Sequence, residues 1–542
     1  MPSRAPLRAR PYLIPLAALI PILPLLFAGP SCGHDFDFHI LSWLEAARQL
    51  LHGHYPQWAY TPAYNAGEPR FLFYPPLSWL TGAMLGLALP WHYAPIAFTW
   101  LALTLSGLTL HRLALRYTTP TAATLAAVFY LANPYMLFTA YERTAYGELL
   151  AAAWIPLLLA AILAPRISIA AIAIPVGLLW ITNAPAAVMS CYALALLALV
   201  RLATTLRDKQ PRQTPFELTR NTILGVLLGL GLAAFYVLPA AWERGTIQAA
   251  MATVPGMRIA DNTLFQQTTD EAHDAVLHTA SMLAVVLLTA TLATLAALRE
   301  AKSKPALILL TLAIAFLLTP WSLPLWRHAP EAIFLQFPWR LLAILAAVLA
   351  FAGALLFRDL DFRPLPLALS VLGLTTLLTL PSFHHFNQPC DTPDTVEARY
   401  TLFHSPQGSD PTDEYTPATA DNDFLRHANP PYWLGDNANA QPPASSTPGP
   451  LPDHLTLTAP APETLILNRR QIPAWGVQLN GKDAALDPPG TRDDGLIALP
   501  IPAGQSTVAL TLHRTTDENA GLAISLAALA CLWLLRRKVP SA

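Results

Sequence analysis

Twelve long apolar runs dominate the chain, near residues 11–29, 94–111, 119–136, 148–164, 167–183, 186–201, 221–240, 277–297, 305–320, 340–356, 365–382 and 520–535. A helix rises 1.5 Å per residue, so roughly 20 apolar residues cross about 30 Å of hydrocarbon. Alternate connections between these runs collect Lys and Arg. They carry Arg112 and Arg116, then Arg166, then Arg201, Arg207, Lys209, Arg212 and Arg220. Further along come Arg299, Lys302 and Lys304, then Arg358 and Arg363, and last Arg536, Arg537 and Lys538. Positive charge accumulates on the cytoplasmic side of membrane proteins, so these loops, both termini, and Arg4, Arg8 and Arg10 are expected there. The first run, Pro11–Gly29, reads as an anchor, because it is long for a signal peptide and no A-x-A cleavage site follows it. The expected fold is thus a polytopic α-helical membrane protein of about twelve spans. Only 12% of the chain is charged while 54% is hydrophobic, against roughly 25% charged in a soluble domain.

One apolar stretch, Tyr74–Leu89, would invert the topology if it spanned, and the placement of basic loops rejects it. Its Tyr-Pro-Pro start and short length suit an interfacial helix. Residues 30–93 then form the first outer loop. Within it Ile40, Leu44, Ala47 and Leu51 share one helical face and Ser42, Glu45, Arg48 and His52 the other, the pattern of a helix lying flat on the membrane. Composition shifts sharply to Asp, Asn, Thr, Pro and Ser over 383–519. Residues 387–450 read as loop-dominated. Strands are expected at His454–Thr458, Thr464–Asn468, Trp475–Asn480, Leu496–Pro500 and Ser506–His513, forming a small β-sandwich. The expected division is a membrane domain over 1–382, an extracytoplasmic β-rich domain over 383–519, and a last span with a basic tail over 520–542.

The net charge of −1, with no basic cluster, excludes nucleic acid as a partner. The spans are almost free of ionisable residues at their centres, where ion-coupled transporters need them. Polar residues gather instead at three outer mouths: Gly33-His34-Asp35-Phe36-Asp37-Phe38-His39, Tyr141 through Glu148, and Gln336-Phe337-Pro338-Trp339-Arg340. Transfer of a sugar from a lipid phosphate needs such groups: a carboxylate takes the acceptor proton, and arginines steady the departing phosphate. Arg143 and Arg340 are the candidate phosphate partners, and His39 and Tyr146 further substrate-binding candidates. The alternative is that all are ordinary interfacial polar residues, with Arg143 and Arg340 snorkelling to headgroups. No cofactor is required by this pattern. A divalent metal remains open through His34, Asp35, Asp37 and His39, although no Asp-x-Asp or Glu-x-Asp occurs in the second outer loop.

The run GHDFDFH, followed in order by EAARQLLHGHYPQW, NAGEPRFLFYPPLSW, YERTAYGELLAAAWIPLL, QFPWRLL, DEYTP and IPAWGVQLNGK, resembles the bacterial membrane family labelled 6-pyruvoyl-tetrahydropterin synthase-related. More distantly it is similar to the C-class (GT-C) membrane glycosyltransferases that use polyprenyl-phosphate sugars. A pterin synthase needs a compact His-rich zinc site, and the sequence shows none. The resemblance implies a location in the bacterial inner membrane and a catalytic base in the first outer loop, Asp35 with Asp37 beside it. It also implies a second-loop acid, Glu148 or Glu142. The expected partners are a polyprenyl-phosphate-linked sugar, membrane lipid and an acceptor of unknown kind. A non-catalytic scaffold for envelope polysaccharide assembly and a lipid or polymer transporter are the rival readings.

Of four cysteines, Cys191 and Cys531 fall in spans, while Cys32 and Cys390 both lie in outer segments. Only that pair could bridge. Nothing in the sequence brings the two Cα atoms within the roughly 7 Å a bond requires, so two unpaired cysteines are expected.

Overall fold

The computed structural model describes residues 11–299 and 301–537; Arg4, Arg8, Arg10 and Lys538 of the expected cytoplasmic flanks lie outside them. Among the described residues, seven helices are long and apolar enough to cross a membrane: Trp91–Ala114, Pro120–Tyr141, Ala184–Arg207, Glu271–Ala297, Pro338–Leu356, Pro364–Phe386 and Thr516–Arg537. Two bent pairs, Pro215–Leu232 with Ala234–Thr246 and Lys304–Leu317 with Pro320–His328, raise the number to nine if each is one span. The architecture is that of a polytopic helical membrane protein with a C-terminal sheet region. The expected twelve spans are not confirmed by these lengths. The expected runs at 11–29, 148–164 and 167–183 fold as shorter apolar helices, Leu13–Ala28, Tyr146–Ile162 and Ile169–Thr182. Each run is interrupted, by a break at Ala18, by a break between Ala151 and Ile155, and by the internal Pro175.

Close helix packing in the membrane region relies on small residues. Gly225 and Gly229, four apart on the Pro215–Leu232 helix, face Ile172 and Val176 of the Ile169–Thr182 helix. A Cβ on either glycine would fall within 2.7 Å of those side chains.

The expected amphipathic helix of the first outer loop is packed in protein rather than open along one face. It spans Phe36–Leu51 and is buried on both faces. Its expected polar face is taken up by protein: Glu45 is fully buried, pairs with Arg48 at 2.6 Å, and accepts from the backbone N–H groups of Tyr60 and Thr61 at 3.0 and 2.5 Å. Ser42 accepts a hydrogen bond from Arg70 at 2.9 Å. Apart from Arg48 these partners come after the helix, at Tyr60, Thr61 and Arg70, which hydrophobic periodicity cannot foresee. The Tyr74–Leu89 stretch forms a 13-residue helix, Pro76–Ala88.

Among the described residues seven strands follow: β1 (Tyr432–Gly435), β2 (His454–Ala459), β3 (Glu463–Arg470), β4 (Trp475–Leu479), β5 (Lys482–Asp483), β6 (Leu496–Ile501) and β7 (Gly504–Leu512). They make two antiparallel sheets, ordered β1-β3-β6 and β2-β7-β4-β5. Residues Leu455, Leu457, Leu465, Leu467, Ile497 and Val508 fill the space between the sheets. Alternation along β2 is regular, one residue in and the next out. Strand β1 and the Val396–Phe403 helix fall in the stretch expected to be loop, where Pro and Asn mask short elements. From the first outer loop Trp58 inserts into this core, edge-on to Trp475 at 5.5 Å.

Against expectation, Cys32 and Cys390 are bonded, with Cα atoms 4.9 Å apart. The bond joins the turn before Asp35 to the segment leading into the sheets. Around it Ser31 donates to the Tyr141 carbonyl at 2.7 Å and accepts from the Gln388 N–H at 2.8 Å. Closing a loop of this length constrains the unfolded chain by roughly 4 kcal/mol or more in the chain-entropy account. Cys390→Ser is therefore expected to abolish a mobility difference between reduced and non-reduced gels and to lower the melting temperature. Identical migration of the parent protein with and without reductant would contradict the bond.

Candidate active site

The turn carrying Asp35 is pinned against the turn carrying Arg143. Asp35 N–H donates to the Arg143 carbonyl at 2.9 Å, and Gly33 packs so tightly that a Cβ there would lie 2.2 Å from the Glu142 carbonyl oxygen. Only glycine allows that approach. Glu148 lies in the first turn of the Tyr146–Ala151 helix, and Arg340 in the Pro338–Leu341 turn that opens the Leu342–Leu356 helix. Three segments far apart in sequence meet here: Asp35 at the start of the Phe36–Leu51 helix, Arg143 and Glu148 in the connection after the Pro134–Tyr141 helix, and Arg340.

Their geometry is specific. Arg143 Nη1 donates to Glu148 Oε2 at 2.5 Å, and Arg340 Nε lies 3.3 Å from the same oxygen. Tyr135 donates its hydroxyl to Glu148 Oε1 at 2.6 Å. The Arg143 guanidinium stands 4.7 Å over the Trp339 ring, and that of Arg340 stands 4.8 Å over Phe337. Such stacking holds a guanidinium in place while leaving N–H groups for a ligand. Asp35 Oδ2 lies 3.8 Å from Arg143 Nη2. Here exposure decides roles: the Asp35 side chain is 43% exposed, whereas those of Arg143 and Glu148 are 6% and 4% exposed. Two buried cations share one buried carboxylate, and a second carboxylate faces open space.

All four line one cavity of about 730 Å³, with Asp37 and His39 also in its wall. This size suits a small-molecule site, typically 300–1,000 Å³. Asp37 is engaged differently from Asp35: Arg399, from the segment before the sheets, bonds to it and reaches Asp394 at 2.6 Å. Burial raises the Asp37 pKa above the ordinary aspartate value, against the opposing pull of Arg399. Tyr146, expected to bind substrate, does not line the cavity; its ring packs behind His39 at 5.2 Å, against Trp43 and Phe98. Helical spacing turns it inward. Glu142 also lies elsewhere, accepting from Gln388 at 2.7 Å. Among the described residues no three His, Cys, Asp or Glu side chains gather as a metal site, so His34, Asp35, Asp37 and His39 form no such cluster.

No family model and no curated protein matches the chain. Solved structures of low similarity do. An arabinofuranosyltransferase AftD structure from Mycobacteria is 18% identical with a TM-score of 0.44, over 72% of this chain and 29% of that one. The Archaeoglobus fulgidus oligosaccharyltransferase AglB, in complex with an inhibitory peptide and a dolichol-phosphate, is 15% identical with a TM-score of 0.36, over 72% and 59%. The chain thus spans less than two thirds of either protein. Superposition at these scores assigns neither family nor activity.

Arg70, Arg399 and the Ser409–Tyr415 segment, none of them a candidate site residue from the sequence, close the sheet-side wall of the cavity. Arg70, 3% exposed, pairs with Glu68 at 2.7 Å and donates to Thr412 at 3.0 Å. It tethers the wall to the outer loop. His39 is 1% exposed among aromatic rings, and its Nδ1 has no partner. Desolvation lowers its pKa from 6.5 to about 4, with Asp35 opposing. The unfolded chain therefore binds a proton between those values that the folded chain refuses, so stability is full above about pH 6.5 and is lost as pH falls towards 4. The loss amounts to roughly 3 kcal/mol. Melting temperatures across this window should fall less steeply for His39→Phe than for the parent protein; parallel curves would contradict it.

Proposed function

We propose that the chain is a GT-C-type glycosyltransferase that moves a sugar from a polyprenyl-phosphate-linked donor to an acceptor on the sheet-bearing, non-cytoplasmic side of a bacterial inner membrane. The observation that carries this reading is one open carboxylate, Asp35, sharing a cavity with two buried arginines. Asp35 takes the proton of an acceptor hydroxyl as the oxygen attacks the anomeric carbon of the donor. The bond from that carbon to the phosphate oxygen breaks, and its electron pair leaves with the polyprenyl phosphate. Arg143 and Arg340 hold the charge that develops there. Glu148 does not reach the reacting atoms in this scheme. It positions the two guanidiniums and offsets their mutual repulsion.

Native mass spectrometry of the purified protein with polyprenyl phosphate and with the matching polyprenol tests the donor half. The phosphate form should bind more tightly, and Arg340→Gln should weaken it by about 10-fold or more, since hydrogen bonds to charged groups contribute roughly 1.5–3 kcal/mol. Polyprenol should be unaffected. Equal binding of the two lipids would contradict the reading. Incubating the sugar-loaded donor with a panel of acceptors tests the rest, and binding without transfer to any acceptor would favour a scaffold.

A further inference from the structure

A second cavity, of about 1,020 Å³, opens at the other end of the helical region. The Pro338–Leu356 helix connects the two: Arg340, in its first turn, lines the first cavity, while Leu355, Leu356 and the following Arg358 line the second. Leu355 lies 15 residues along this helix from Arg340, about 22 Å at 1.5 Å per residue, so the two cavities sit at opposite ends of one span. Five cations from three separate connections surround the second cavity, Arg201, Arg212, Arg299, Lys302 and Arg358, against the carboxylates of Asp208 and Asp359. Leu163, Leu298, Leu355 and Leu356 give it an apolar side.

The connections are held in place rather than merely adjacent. Gln213 exchanges two hydrogen bonds with the Ile167 backbone, both at 2.9 Å, and the Arg212 carbonyl accepts from Arg166 at 3.1 Å. Lys304 closes the next turn by donating to the Leu298 carbonyl at 2.6 Å. The Arg358 carbonyl accepts from Thr119 N–H at 3.0 Å. Arg201 is spent on the Ile162 and Ala164 carbonyls at 2.8 and 2.9 Å. Arg212, Arg299 and Lys302 form no ion pair among the described residues, and Arg358 meets only the exposed Asp359 beside it. Like charges fixed around one hollow repel, and an anion entering it relieves that repulsion.

We propose that this cavity binds the phosphate group of an anionic phospholipid, its acyl chains following the leucine side. Basic pockets between helices on the cytoplasmic side take anionic headgroups in this way, and the apolar side favours a lipid over a free phosphate. The test uses the full-length protein and phosphatidylglycerol, phosphatidylcholine and inorganic phosphate as probes, with binding measured by native mass spectrometry. Phosphatidylglycerol should bind about 10-fold or more tightly than phosphatidylcholine, and the preference should shrink as salt rises. The triple variant R299Q/K302Q/R358Q should lose it, while Arg340→Gln, at the other cavity, should keep it. Displacement of phosphatidylglycerol by millimolar inorganic phosphate would overturn the lipid assignment in favour of a soluble phosphate compound. Equal binding of the two lipids, or a preference that survives in the triple variant, would overturn the site.

Discussion

Asp35→Asn is expected to reduce sugar transfer by about 10²–10⁴-fold, the range that loss of a general base commonly produces, without loosening the fold. The substitution keeps the shape of the side chain and removes only its capacity to take a proton. The backbone contact that docks this turn, from Asp35 N–H to the Arg143 carbonyl, is unchanged, and the half-exposed side chain leaves no buried group stranded. Donor binding should therefore survive while turnover falls. Asp37→Asn should behave differently, because Asp37 is bonded to Arg399 and its loss disturbs the sheet-side wall before it disturbs chemistry. Paired measurements of transfer rate and melting temperature separate the two. An Asp35→Asn protein of normal activity would move the base to Asp37.

Glu148→Gln is expected to damage the protein itself, by about 3–5 kcal/mol, the usual penalty for removing one member of a buried charged cluster. Arg143 and Arg340 then remain buried with no counter-charge nearer than Asp35, 3.8 Å from Arg143. Tyr135 loses a charged acceptor as well. The double variant Glu148→Gln/Arg340→Gln should recover part of the loss, because one of the two repelling cations is gone. A single variant that melts with the parent protein would show that the cluster tolerates its excess charge and that Glu148 has no such role.

Four residues of the candidate site, Asp35, Arg143, Glu148 and Arg340, stood out in the sequence because the polar residues gather at three mouths of apolar runs whose centres are almost free of charge. Their convergence on one cavity is a matter of helix packing, which no single apolar run carries. Arg70 and Arg399 did not stand out. Each lies in a stretch without periodicity, and each owes its burial to partners more than 300 residues away, Thr412 and Asp37. Tyr146 misled for a related reason: two residues from Glu148, it faces a different side of the helix and packs into the aromatic cluster. The cysteine bond is tertiary proximity across 358 residues, which no local pattern carries. In the sheets, alternation marked most strands, while β1 is four residues long, too short for period-two patterning to register.

In the proposed function the Asp35 cavity receives the phosphate of a lipid-linked donor. A structure of the protein with bound polyprenyl phosphate tests it directly. The account predicts phosphate oxygens about 3 Å from the guanidiniums of Arg143 and Arg340, with Asp35 facing the space where an anomeric carbon would sit. A phosphate held elsewhere, such as among Arg212, Arg299 and Lys302 at the opposite end, with the Asp35 cavity unchanged, would contradict it.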